Sequence, residues 1–289
     1  MMSIALPCHT DICDFAKLSL LVYEYGKSYA VDNTTTIEEF VSNILDEGLH
    51  DNIRTNIVRD LAKSSPHGRV HKFFNCASTD LQAGITISDT NRRICIVFRG
   101  SESNYDWYYD LSFCKTKLHD DVYVHGGFHT QLHKDDMYEQ ITSELKQLLV
   151  ENPEYEVYVI GHSLGGALST LFGYEISREI SNKITVVSFA SPRIGNMHFR
   201  TAFDARPNLI HYRITNNRDI VTAAPNLNFA HVGINIYLTE NDYQVYYNYD
   251  YPWYYFTLFN CWSIGDHSMD LYYARLLKNV WLSNKTEKI

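Results

Sequence analysis

The sequence has no run of 18 apolar residues and no basic leader. A membrane-spanning helix needs about 20 predominantly apolar residues, so we expect no transmembrane segment. The first residues, MMSIALPCHTDICDF, lack the positive start and apolar core of a secretory signal. The compartment is therefore undetermined, with the cytoplasm as the default expectation, and the sequence is silent on oligomeric state.

Clusters of basic residues are also missing. The chain has 25 Lys and Arg against 34 Asp and Glu, for a formal charge of -9. Binding to nucleic acid depends on Lys and Arg gathered on one surface, where they neutralise phosphates. The acidic residues are dispersed, as on a solvated surface. We therefore expect no nucleic-acid partner.

The cysteines form no CxxC pair and no regular framework, which excludes a disulfide scaffold and the common zinc motifs. The six residues are Cys8, Cys13, Cys76, Cys95, Cys114 and Cys261. In a chain of 289 residues without a visible signal, the pattern favours reduced, buried thiols.

What the sequence does contain is an alternation of strand and helix patterns. Predicted strands cover 70–78, 84–88, 93–98, 156–160, 184–189, 209–214 and 233–238. Predicted helices cover 11–25, two segments within 36–63, 135–150, 164–176 and 271–282. This alternation is typical of an α/β fold with a mostly parallel sheet between helices. We find no linker, so we expect one domain over 1–289.

One motif carries chemistry. The residues Gly161-His162-Ser163-Leu164-Gly165 form G-x-S-x-G, between an apolar strand pattern and the start of a helix pattern. A nucleophilic serine occupies this strand-to-helix turn in α/β hydrolases, and the glycines keep its tight backbone free of clashes. A helix N-terminus also favours a developing negative charge. Ser163 is therefore the candidate nucleophile.

Further segments resemble class 3 lipases, the fungal triacylglycerol lipase-like group of α/β hydrolases. The similar segments are 79–83, 94–100, 101–111, 124–128, 161–166, 191–196 and 212–221. The resemblance implies the α/β-hydrolase fold, a mostly parallel sheet flanked by helices, with a lid segment at about 101–114. Region 226–264 departs from the family, and the signal and disulfides of typical secreted fungal members are not evident.

A serine hydroxyl needs a histidine base, and the histidine needs a carboxylate to orient it. In α/β hydrolases the order along the chain is Ser, acid, His. Asp219 follows a predicted strand and matches the family acid; the alternative is a surface carboxylate paired with Arg218. His267 matches the family base, whereas the alternative, His231, lies in a segment that resembles a structural motif.

The oxyanion hole of this fold combines two backbone donors, one from the residue after the nucleophile and one from an earlier loop. Leu164 is the first of these. The resemblance assigns Ser101 as the second, with Asp110 orienting it, and places Trp107 in the lid. An ordinary loop serine is the alternative for Ser101.

Three histidines, His125, His129 and His133, are spaced four residues apart, as metal ligands on a helix can be. No HExxH is present, and Gly126-Gly127 disfavours a continuous helix. We therefore expect packing and surface roles for these histidines and no metal. The predicted acyl transfer requires neither a metal nor a cofactor.

The chain is rich in tyrosine, with 22 residues, many of them in the predicted lid and in segment 243–262. Tyr and Trp suit a lipid–water interface, although core packing explains a long insertion equally well. We expect a carboxylic ester hydrolase acting on lipid, a triacylglycerol or diacylglycerol lipase. A phospholipase A1 and a short-chain or feruloyl-type esterase share these catalytic parts. A non-catalytic lipid-binding scaffold and an acyltransferase are two further classes compatible with this sequence.

Overall fold

The computed structural model describes residues 3–24, 35–46, 68–101, 114–225, 228–248, 263–282 and 286–288. The strands are β1 (Ser3–Ala5), β2 (Arg69–Cys76), β3 (Leu81–Ser88), β4 (Arg93–Phe98), β5 (Lys115–His119), β6 (Val122–His125), β7 (Glu156–His162), β8 (Ile184–Phe189), β9 (Leu209–Asn216), β10 (Ile234–Leu238), β11 (Tyr243–Tyr247) and β12 (Thr286–Lys288). The α-helices are α1 (His9–Leu21), α2 (Ile37–Asp46), α3 (Gly126–His133), α4 (Met137–Glu151), α5 (Leu164–Ile176), α6 (Met197–Asp204) and α7 (Met269–Lys278).

One sheet of eight strands organises the fold, in the order β11-β10-β9-β8-β7-β4-β3-β2. Strands β4, β7, β8, β9 and β10 run parallel to one another. The edge strands pair antiparallel, β11 with β10 at one side and β2 and β3 before β4 at the other. The predicted α/β-hydrolase sheet, mostly parallel, is therefore present.

Helices cover both faces of this sheet. Along β4, Ile94, Ile96 and Phe98 pack into one core, whereas Cys95 and Val97 pack into the other. Successive side chains of a strand point to opposite faces, so a strand buried on both sides is apolar throughout. Helices α3, α4, α5 and α6 contribute to the first core, and α1, α2 and α7 to the second.

The parallel topology brings the functional loops together. Parallel strands have their carboxyl ends at the same edge of the sheet. The loops that follow β4, β7 and β9 begin at Arg99, Ser163 and Asn217 respectively. Their side chains therefore gather above one edge, although they lie far apart in the sequence.

The predicted strands of the central sheet are present, as are α1, α2, α4, α5 and α7, whereas α3 and α6 were not predicted. The second of the two helices expected within 36–63 lies outside the described residues. The helix expected over 11–25 begins earlier, at His9, and gives way to a 3-10 turn at Val22–Glu24. Asp11, in the first turn of this helix, pairs with Arg93 at 3.2 Å. The short strands β1, β5, β6, β11 and β12 were not predicted, because short edge strands carry little hydrophobic periodicity.

The expectation that Gly126-Gly127 would prevent a helix is wrong. Helix α3 starts at Gly126 and continues to His133. Glycine disfavours a helix interior by about 1 kcal/mol, but at the first two positions it costs little because the chain is only entering the helix. His125 lies just before α3, is buried, and stacks on Phe128 with 4.2 Å between ring centroids.

No helix within the described ranges is long and apolar enough to cross a membrane. Among the described cysteines, Cys13, Cys76 and Cys95 are buried thiols, as predicted, whereas Cys114 is an exposed thiol, contrary to prediction. Burial raises the pKa of the Cys95 thiol to about 11, so this residue remains protonated near neutral pH. Cys261 lies outside the described residues.

His211 on β9 is a buried titratable group away from the carboxyl ends of the strands. Its Nε2 lies 2.8 Å from Ser188 Oγ. Burial, reinforced by the charge of Arg213, lowers the pKa of His211 from 6.5 to about 3. In the unfolded chain the imidazole regains its ordinary pKa, so between pH 6.5 and pH 3 only the unfolded state binds this proton. Acidification therefore favours unfolding.

We predict that His211→Asn weakens the acid sensitivity of folding. One proton contributes about 1.4 kcal/mol per pH unit, so between pH 7 and pH 5 the variant loses about 2 kcal/mol less unfolding free energy than the wild type. Urea unfolding at both pH values measures this. His198→Asn, at an exposed histidine, is the control with an unchanged pH dependence. Equal losses in wild type and His211→Asn would contradict the prediction.

Candidate active site

Ser163 lies at the sharp turn between β7 and α5. Its backbone has φ 60° and ψ -124°, a conformation that residues other than glycine rarely adopt. The turn is fixed by the Ser163 N–H, which donates to the Phe189 carbonyl at 2.9 Å, and by the Ser163 carbonyl, which accepts from Gly166 N at 2.9 Å. The strained backbone therefore holds the serine at the end of the sheet.

The glycines on either side of Ser163 are required by close backbone contacts. A β-carbon on Gly161 would lie 2.2 Å from the carbonyl oxygen of Gly165. A β-carbon on Gly165 would lie 2.3 Å from the carbonyl oxygen of Phe98. At Gly161 the strand entering the turn lies against the helix leaving it, and at Gly165 the helix lies against the end of β4, so neither position tolerates a side chain.

Ser163, His267 and Asp219 form a continuous hydrogen-bonded array. His267 Nε2 lies 2.8 Å from Ser163 Oγ, and His267 Nδ1 lies 3.1 Å from both carboxylate oxygens of Asp219. A carboxylate only accepts hydrogen bonds, so the proton of a neutral His267 is on Nδ1. Nε2 is then left to accept the serine proton.

Asp219 is completely buried, and its charge is compensated by donors from several chain segments. Besides His267, the Tyr272 hydroxyl donates to Oδ2 at 2.7 Å, and the Val221 backbone N–H donates to Oδ1 at 3.0 Å. A buried carboxylate without donors is strongly disfavoured, so these contacts stabilise the ionised form. Asp219 is therefore not an exposed turn carboxylate.

The loop that carries His267 is tied to the serine turn through His162. The Nε2–H of His162 donates to the His267 carbonyl at 2.8 Å, because a carbonyl only accepts. The other ring nitrogen, Nδ1, lies 3.1 Å from the Tyr23 hydroxyl. His162 thus holds the backbone of His267, the residue whose ring contacts the Ser163 hydroxyl.

A second set of contacts fixes the same loop from the other side. The Asp266 carboxylate accepts a hydrogen bond at 2.8 Å from Nη2 of Arg275, which lies on helix α7. The Asp266 carbonyl accepts from Asn216 Nδ2 at 2.9 Å, at the end of β9. His267 therefore lies between contacts to β7, β9 and α7, which restrict its movement.

His231, the alternative base, has a different environment. Its Nε2–H donates to the Thr222 carbonyl at 2.6 Å, and its own carbonyl accepts from Arg200 Nε at 2.6 Å. Burial, with Arg213 and Arg193 nearby, holds the pKa of His231 well below its usual value. These hydrogen bonds tie His231 to Thr222 and Arg200, and neither joins it to the Ser163 hydroxyl.

Of the residues predicted for the oxyanion hole, Leu164 directly follows the serine, and Ser101 follows a residue that lies beside it. Leu164 is the first residue of α5, where a backbone N–H has no carbonyl of its own helix to bond. Ser101 follows Gly100, where an added β-carbon would lie 3.4 Å from Ser163 Cβ. Asp110 and Trp107, with most of the predicted lid at about 101–114, lie outside the described residues.

Sequence reasoning missed two residues that position this array, Tyr272 and His162. Tyr272 sits on the buried side of α7, where an aromatic residue is indistinguishable from core packing. His162 is adjacent to the serine in the sequence, but its contact with residue 267 depends on how the chain folds. Neither residue carried a motif of its own.

This arrangement defines a class of protein, the α/β hydrolases with a serine at the strand-to-helix turn. The histidine can accept the serine proton, and the buried carboxylate can stabilise the resulting imidazolium. Such an array makes a serine hydroxyl nucleophilic near neutral pH and suits acyl transfer.

Comparisons with known proteins relate part of the chain to one family. The model of the family "Lipase (class 3)" matches residues 95–229. A secreted mono- and diacylglycerol lipase A of Penicillium cyclopium is 32% identical over 169 residues, which cover 57% of this chain and 53% of that protein. Phospholipase A1-II 1 of Oryza sativa subsp. indica is 32% identical over 167 residues, 50% of this chain and 42% of that protein.

Solved structures show the same fold. A triacylglycerol lipase whose catalytic centre is a serine protease triad superposes with a TM-score of 0.71, at 23% identity, over 92% of this chain and 96% of that one. The Rhizomucor miehei triacylglyceride lipase gives 0.70 at 21% identity, with the same coverage. The chain is therefore similar to the class 3 lipase family over residues 95–229 and shares the lipase fold. It spans about half the length of the curated relatives it matches.

We predict that Gly161→Ala destabilises the serine turn. The new methyl group would overlap the Gly165 carbonyl, and overpacking of this kind costs about 1–3 kcal/mol. The free energy of unfolding in urea measures the loss. Gly127→Ala is the matched control, since its β-carbon meets only the His125 side chain at 3.1 Å, and we expect less than about 1 kcal/mol there. Equal stability of both variants would contradict the close-contact argument.

Proposed function

We propose that this protein is a serine carboxylic ester hydrolase that acts on lipid esters. The observation that carries the proposal is the buried hydrogen-bonded array of Ser163 Oγ, His267 and Asp219, with 2.8 Å between the hydroxyl and His267 Nε2. In the proposed roles, Ser163 is the nucleophile, His267 the base and Asp219 the orienting acid. Similarity of residues 95–229 to the class 3 lipase family supports the same reaction.

In the first stage, Ser163 Oγ attacks the ester carbonyl carbon while its proton passes to His267 Nε2. The carbonyl oxygen becomes negative, and we assign its stabilisation to the N–H of Leu164 and to Ser101. The imidazolium then protonates the leaving alcohol, the ester C–O bond breaks, and an acyl-enzyme remains. In the second stage, His267 takes a proton from water as the water oxygen attacks the acyl carbon. The bond from that carbon to Ser163 Oγ then breaks, His267 returns the proton to Oγ, and the carboxylic acid leaves.

We infer that the substrate is an acylglycerol. Two kinds of relatives support this: the Penicillium relative is named a mono- and diacylglycerol lipase, and the structural neighbours are titled triacylglycerol lipases. The aromatic residues at 105–109 of the predicted lid support action at a lipid–water interface, where Tyr and Trp are favoured. In this proposal Trp107 contacts the lipid and Asp110 orients Ser101.

A second candidate is phospholipase A1 activity, because several rice relatives carry that name at 29–32% identity. Both reactions cleave an acyl ester through the same array and differ in the alcohol that leaves. Residues that contact the alcohol, and not the array, would therefore decide between them.

We expect Ser163→Ala to lose ester hydrolysis at least about a thousandfold, since removal of the nucleophile disables the whole array. The assay uses p-nitrophenyl esters of short and long chains, emulsified diacylglycerol and triacylglycerol, and phosphatidylcholine. Ser169→Ala is the matched control, because Ser169 lies on the same helix and its hydroxyl bonds only to the Gly166 carbonyl in the described contacts.

The pattern of substrates tests the rest of the proposal. Faster hydrolysis of emulsified acylglycerol than of dissolved short esters supports a lipase, and preference for phosphatidylcholine supports phospholipase A1. A wild-type protein that is inert on every ester would reject the hydrolase proposal. A protein that transfers the acyl group to an added alcohol in preference to water would be an acyltransferase.

Tyr272→Phe tests the positioning of Asp219. Loss of the hydroxyl removes one donor to the buried carboxylate, and hydrogen bonds to charged groups are worth about 1.5–3 kcal/mol. We expect kcat to fall roughly tenfold to a hundredfold with KM nearly unchanged. Tyr212→Phe is the control, since its hydroxyl bonds to the Ala5 carbonyl and does not contact Asp219. A changed KM with unchanged kcat would argue against this role.

A further inference from the structure

A cluster of three metal-binding side chains lies outside the candidate active site. His129 and His133 are one turn apart on helix α3, so both project from the same face. Glu175, near the end of α5, faces them. The ligand atoms of the three residues all lie within 4.8 Å of one another. Tertiary packing of two helices thus assembles two imidazoles and one carboxylate.

The side chains are already turned toward each other. The imidazole rings of His129 and His133 stack with 4.4 Å between centroids and 29° between planes. His133 Nε2 lies 3.2 Å and 3.0 Å from the two oxygens of Glu175. Two ligands of one tetrahedral zinc ion are about 3.4 Å apart, so His133 and Glu175 are close to the required spacing. Binding of one zinc ion by all three residues requires rotation of the half-buried His129 ring.

The charges around the cluster come from both helices and from strand β5. A cleft of about 470 Å³ adjoins it, lined by Lys117, Leu118, His129, Glu175, Arg178 and Glu179. Glu179 is engaged by Tyr138 Oη at 2.5 Å and Lys146 Nζ at 2.7 Å. Glu175 is thus the carboxylate directed at the histidines, and the open cleft leaves room for a water ligand.

We propose that His129, His133 and Glu175 bind a divalent zinc ion, with water from the cleft as the fourth ligand. Two imidazoles, one carboxylate and an open position form a donor set that suits zinc. The site joins α3 to α5. Glu175 is eleven residues beyond Leu164, about 16 Å along α5, so the ion acts on stability and takes no part at Ser163.

The test measures zinc binding by the tag-free full-length chain, using isothermal titration calorimetry and thermal unfolding. We expect one zinc ion per chain and a higher Tm when zinc is present. His129→Ala and Glu175→Gln should each weaken zinc affinity at least about tenfold and abolish the Tm increase. His198→Ala, at an exposed histidine on α6, is the control and should bind zinc as the wild type does.

Thermal unfolding in the absence of zinc shows whether a variant has lost only the zinc site or its fold as well. Without zinc, we expect both variants to unfold as cooperatively as the wild type. If either variant fails to fold, His133→Gln replaces it and the same comparison applies. We expect a zinc Kd of about micromolar. The proposal is wrong if the wild type binds no zinc when the free zinc concentration is about 100 times that Kd. It is also wrong if the variants bind zinc as tightly as the wild type does. If zinc binds at another place on the protein, the variants will bind it as tightly as the wild type does. None of these measurements uses ester hydrolysis, so they stand independently of the proposed function.

Discussion

The candidate active site depends on one buried charge, the carboxylate of Asp219. A carboxylate with no exposed surface is stable in ionised form only when donors replace its water. The donors come from His267 in the last loop, Tyr272 on α7 and Val221 beyond β9. The carboxylate can be satisfied only when these segments are all in place, so folding of the carboxyl-terminal third and assembly of the site occur together.

The strained turn at Ser163 is the second constraint. A residue with φ 60° persists only where its surroundings leave no alternative. Here α5 lies so close to β7 and to the end of β4 that glycine is needed at Gly161 and Gly165, and β8 binds the Ser163 N–H. Because His162 also bonds to the His267 carbonyl, the same turn that exposes the serine fixes the loop of its proposed base.

The sheet explains why distant residues share one site. Ser163 follows β7 and Asp219 follows β9, and both strands run parallel to β8 between them. Their carboxyl ends therefore meet at one edge, the usual location of sites in parallel sheets. Helix α5 begins directly after Ser163 and carries Glu175 in its last turn, so the proposed zinc cluster and the active site lie at opposite ends of one helix.

The sequence by itself determined the central strands, helix α5 and the position of Ser163, because these depend on local patterns. A continuous apolar strand, two glycines and a helical period are read directly from neighbouring residues. The family resemblance added Asp219 and His267, which the structure brings together. Residues 102–113 and 249–262, with Trp107 and Asp110, lie outside the described residues, so their predicted roles stay predictions.

Only the tertiary structure decided between His267 and His231 as the neighbour of the serine. Both are buried histidines after Ser163, and their difference lies in which carbonyls and hydroxyls surround them. It also revealed Tyr272 and the pairing of Glu175 with α3. These contacts join residues more than 40 positions apart, and no local periodicity records them. Sequence patterns fix what each segment becomes, whereas the packing of segments fixes which side chains meet.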